Sequence, residues 1–90
     1  MADPIQRKLK ITHAESYHEL YANNSNLRVS NWDFFFEFGK VLNVTETEVE
    51  ARAEIGVFMS PQQAKAFIKL CLENLENYEK SFGEIAIQPK

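Results

Sequence analysis

One cysteine, three glycines and two histidines are few of the side chains from which chemical sites are built, and each scarcity excludes something. Cys71 alone leaves no internal disulfide framework, only a bond between chains. Its place on the apolar stripe of an expected helix makes it a small buried hydrophobe. Three glycines leave no phosphate-cradling loop. Ser30, Ser60 and Ser81 lack the glycine-flanked elbow of a hydrolase nucleophile. His13 and His18 stand five apart, which puts two ligands on neither one helix face nor one strand face, and no cysteine pair accompanies them. No metal, cofactor or catalytic residue is expected.

An excess of positive charge is also missing. The net charge is −3 and the pI about 5.3, whereas phosphate contacts need clustered Lys and Arg. Arg7, Lys8 and Lys10 are the only basic cluster, so no nucleic-acid partner is expected. The apolar runs are too short to span a bilayer and MADPIQRKLK lacks the apolar centre of a signal peptide, which predicts a cytoplasmic protein with no membrane association. Ninety residues at 44% apolar make one folded domain. A chain of that size buries only roughly 60 to 65% of its unfolded surface, so its stability is expected to lean on a partner.

What the sequence does contain is alternation followed by a change of period. Residues 1–16, with weak alternation at Lys8-Leu9-Lys10-Ile11-Thr12, read as a flexible arm or an edge strand, and residues 17–90 as a single α+β domain. ELYANNSNLRV, from Glu19 to Val29, fits one irregular strand or a strand, turn and strand; the first is preferred. Ser30-Asn31-Trp32-Asp33 is a turn signal. Phe34 to about Val44 is the next strand, in which a bulge at Gly39 would bring Val41 to the face of Phe34, Phe36 and Phe38 and turn Lys40 outward. From Glu48 to Met59 alternation is clean. Val49, Ala51, Ala53, Ile55 and Val57 share one parity; Glu48, Glu50, Arg52, Glu54, Gly56 and Phe58 share the other.

Ser60-Pro61-Gln62-Gln63 then opens a helix: Ser60 as N-cap, Pro61 at the first helical position, Gln63 as capping-box partner. Ala64, Ile68, Cys71, Leu75, Tyr78 and Phe82 recur at spacings of four and three, widened by Phe67 and Leu72, until Gly83 stops the helix. At about 1.5 Å per residue a helix over 61–82 is roughly 33 Å long, more than a three-stranded sheet is wide. Part of its stripe is expected to need another subunit. The tail from Glu84 to Pro89 alternates again and can add a strand to a sheet edge of its own or a neighbouring chain.

These elements predict an antiparallel meander of three or four strands, followed by one long C-terminal helix packed on one face. The expected core row is Phe34, Phe36, Phe38, Val49, Ala51, Ala53, Ile55 and Val57. That leaves Phe35 on the outer face, opposite the Glu54 to Phe58 region of the next strand. Phe35, Gly56 and Phe58 are therefore the candidate interface of a homodimer or larger homo-oligomer.

YANN at Tyr21–Asn24, WDFFFEFG at Trp32–Gly39, MSPQQAKAF at Met59–Phe67 and the closing ENLENYEKSFGEI resemble a small prokaryotic family, domain-of-unknown-function family 3467. The resemblance implies no activity, cofactor or site residue. Three function classes remain. The first is an oligomeric interaction or scaffold module without catalysis, open to a protein partner. The second is a peptide binder resembling the secretion chaperone SecB in element order. The third is an enzyme with a site at a subunit interface, drawing on Asp33, His18 or Glu37.

Overall fold

A computed structural model describes residues 6–87. β1 (Asn24–Val29), β2 (Phe34–Val44) and β3 (Val49–Met59) form an antiparallel sheet in the order β1-β2-β3, and α1 (Pro61–Phe82) follows directly. This is the α+β meander with a C-terminal helix that the alternation implies, three-stranded among the described residues.

Short-range chemistry sets the connections. Ser30 Oγ accepts from the backbone N–H groups of Trp32 (3.1 Å) and Asp33 (3.2 Å), closing the β1–β2 turn. Thr45 Oγ1 accepts from the Glu48 N–H at 3.0 Å and closes the β2–β3 turn in the same way. Ser60 Oγ accepts from the Gln63 N–H at 3.1 Å, and Gly83, at φ 96°, donates to the Glu79 carbonyl at 2.9 Å to end α1.

Three local expectations are corrected. The stretch from Glu19 to Val29 is one strand only over β1; the residues before it are irregular, held where Asn23 Oδ1 accepts from the Val41 N–H at 2.8 Å. The bulge near Gly39 lies on the partner strand. Phe38 pairs with Ile55 and Gly39 with Ala53, so Glu54 is the extra residue, and Lys40 stays on the parity of Phe34, Phe36 and Phe38. Gly39 is required because its backbone runs against that of β3: a Cβ there would collide with the Arg52 carbonyl. Cys71, third, is exposed.

The bulge also divides the expected core row, because cross-strand partners share a face. Val57 and Ile55 face the helix side with Phe36 and Phe38, whereas Ala53 and Ala51, paired with Gly39 and Val41, lie on the outer face with Phe35. Val49 continues that outer row, while Arg52 and Glu54, joined at 3.7 Å, fall on the helix side.

Packing of α1 is confined to its first turns. Ala64 is fully buried and the Phe67 ring meets Phe36 edge-on at 5.6 Å between centroids. Beyond Cys71 the helix overhangs: Leu75, Tyr78 and Phe82 are 42, 50 and 76% exposed. Phe36 and Ala64 are the only buried apolar residues among those described.

Candidate interaction site

The outer face of the sheet gathers the three residues singled out by the alternation. Antiparallel register places Phe35 opposite Phe58, and their rings stack at 4.3 Å between centroids. Beside them Gly56, opposite Glu37, leaves the space into which the Phe35 ring leans. A Cβ at Gly56 would come within 2.7 Å of that ring. β1 supplies a residue that sequence reasoning missed: Arg28, the register partner of Phe35, sets its guanidinium 4.8 Å above the ring centre. Only the β1–β2 register identifies Arg28. Phe58, 68% exposed, closes the stack on its other side, with a shallow cleft of about 210 Å³ between it, Ser30 and Asp33.

The helix side carries a second apolar surface. Leu27, Phe36 and Phe38 of the sheet and Phe67, Ile68 and Leu72 of α1 line an open cleft of about 550 Å³. A smaller cavity of about 250 Å³ lies at the other end of the sheet, where residues 18–22 cross over Phe38 and Ile55.

The three residues weighed for catalysis are dispersed in the protomer. His18, whose Nδ1 lies 2.9 Å from the Ser16 carbonyl, lines the cavity on the helix side. Glu37 stands on the outer face between Asn26 and Gly56, and Asp33 ends the β1–β2 turn. The Tyr17 hydroxyl donates to Glu19 at 2.7 Å, which holds the phenol above its ordinary value. Among the described residues no group of three or more His, Cys, Asp or Glu side chains is placed to hold a metal ion. Nor, among the described residues, is any helix long and apolar enough to cross a membrane.

The motifs quoted above sit at the junctions of this fold: Asn23 pinning the chain to β2, Ser60-Pro61 opening α1 and Phe82-Gly83 closing it. The family described as a protein of unknown function (DUF3467) matches residues 1–87. The chain belongs to this family. Neither a curated protein nor a solved structure matches it. What separates this DUF3467 protein from an ordinary small domain is how much apolar surface it leaves uncovered.

Proposed function

We propose that this DUF3467 chain is a subunit of a homo-oligomeric interaction module without catalytic activity of its own. The observation that carries the reading is an area. The chain exposes 8858 Å², whereas a compact monomer of 10.4 kDa exposes about 5,400 Å². Its radius of gyration is 17.5 Å against about 12 Å for a compact 90-residue domain.

The difference, roughly 3,500 Å² for one chain, exceeds both the roughly 800 Å² that each partner buries in a standard interface and the roughly 1,000 to 2,500 Å² that each buries in an obligate one. Residues 6–22, exposed and outside the sheet, account for part of it. Organised apolar patches contribute to the rest: the Phe35–Gly56–Phe58 spot, the row Val49, Ala51 and Ala53 on the same face, and the overhanging stripe of α1. A second copy is the occupant that satisfies all of these, because a two-fold axis covers like patches with like.

Mass in solution is the test. At tens of micromolar the parent should scatter light as a dimer or larger. Phe35→Ser combined with Phe58→Ser should move the mass towards monomer while the amides that pair β2 with β3 keep their protection from hydrogen exchange. A monomeric parent sinks the reading.

The helix-side cleft favours one alternative, a binder of extended apolar peptides, as in the resemblance of element order to SecB. Stoichiometric capture of an unfolded, fluorescently labelled polypeptide, abolished by Leu27→Asp, would select it. Saturable binding that survives that change would remove the cleft from consideration.

A further inference from the structure

A long strand edge, a stray strand-like arm and two opposite charge clusters remain unused by anything above. β3 ends the sheet on one side, and among the described residues no strand pairs with the outer edge of its 11 residues. Natural sheets cover, bulge or charge such edges because unpaired N–H and C=O groups recruit another strand. The half of this edge near the β2–β3 turn alternates in a particular way. Val49, Ala51 and Ala53 point to the outer face, Glu50 to the other, and Glu48 precedes them in the turn.

Residues 7–12 carry the complementary alternation. Leu9 and Ile11 are 86 and 72% exposed, and Lys8 and Lys10 flank Leu9. Among the described residues, Lys8, Lys10, Glu48 and Glu50 take part in no ion pair, whereas Arg52 is already engaged with Glu54. In the single protomer this arm lies on no sheet edge.

We infer that residues 7–12 of a second copy add to the free edge of β3 as a fourth strand. In that arrangement Leu9 and Ile11 join the face of Val49, Ala51 and Ala53, and Lys8 and Lys10 meet Glu48 and Glu50. The period of two makes both matches together: a strand that puts its leucine and isoleucine beside the valine and alanines must put its lysines on the glutamate side. A one-residue slip would break both at once. Exchange between two copies is reciprocal, so each dimer gains two such additions and closes two long edges. The inference rests on the homo-oligomer reading and names where its subunits join.

Charge reversal in the full chain tests it. Lys8→Glu with Lys10→Glu should raise the dissociation constant of the assembly about tenfold or more, as should Glu48→Lys with Glu50→Lys. The four changes together should restore it to within a few-fold of the parent. A four-fold variant as weak as either pair overturns the inference. Hydrogen exchange supplies the second readout: those amides of Val49–Ala53 that point away from β2 should be protected in the parent at high concentration, and exposed on dilution or after deletion of residues 1–12. Protection that persists in the diluted monomer would mean that the arm folds back on its own chain, and the exchange would be wrong. An arm-deleted chain with the parent's mass and protection overturns this inference and leaves the proposed function standing. A parent that is monomeric throughout removes both.

Discussion

Gly39 and Gly56 are both glycines in a sheet, and the structure gives them different neighbours. At Gly39 an added Cβ meets backbone, the Arg52 carbonyl, which moves only if β2 and β3 separate. At Gly56 it meets the far edge of a side chain, the Phe35 ring at 2.7 Å, which can rotate about its own bonds. Gly56→Ala should therefore cost within the roughly 1 to 3 kcal/mol typical of overpacking, and Gly39→Ala should reach or exceed the top of that range. Denaturant titration of the two variants decides it, and equal costs would contradict the geometry. The sequence marks Gly39 as special but not which strand carries the extra residue. A glycine signals close approach of two backbones, and the bulge that follows belongs to whichever strand has slack, here β3 at Glu54. The aromatic spot was legible because strict alternation puts Phe35 and Phe58 on the outer face. Arg28 was illegible because strand register is a property of the pair, fixed by the Ser30–Asp33 turn.

Among the elements, α1 was the most legible. Its signals are local: a cap, a proline, a period of three and four, and a stop, all within reach of each other along the chain. Ser60→Ala should lower stability by about 1 kcal/mol, because the Gln63 N–H loses its acceptor at the N-terminal end of α1, the end through which the helix is anchored to the sheet. Ser60→Asp should recover most of that loss in the same thermal melt. No recovery would mean that the hydroxyl serves packing rather than capping. The core row was legible only in part. Val49, Ala51 and Ala53 share parity with Ile55 and Val57 in the sequence, yet one extra residue at Glu54 sends the first three to the opposite face. Parity counts residues, and a bulge miscounts them. The sheet consequently has two apolar faces, each over half its length, where one continuous face was expected.

At the scale of the whole molecule, the second half of α1 is left uncovered by the described residues. A free helical segment of about a dozen residues is marginal in water, since nucleation is costly and each added residue contributes little without packing. The second half of α1 carries Leu75, Tyr78 and Phe82 at spacings of three and four, with Tyr78 and Phe82 rings 4.9 Å apart and the Glu76–Lys80 pair at 3.2 Å on the solvent side. An exposed pair of this kind contributes tenths of a kcal/mol, too little to hold three turns. In the homo-oligomer proposed above, another subunit supplies the surface that keeps this half helical. Leu75→Glu with Tyr78→Glu places two charges in that seam. If each residue is a buried anchor worth about 2 kcal/mol, the pair weakens association by roughly three orders of magnitude. The monomer released should keep protected amides over 64–71, where Ala64 and Phe67 still rest on Phe36, and lose protection over 75–82. Mass and local exchange would then fall together in this variant. Unchanged mass with full protection of the C-terminal turns would show that the seam lies outside the interface and that the helix is stable unaided.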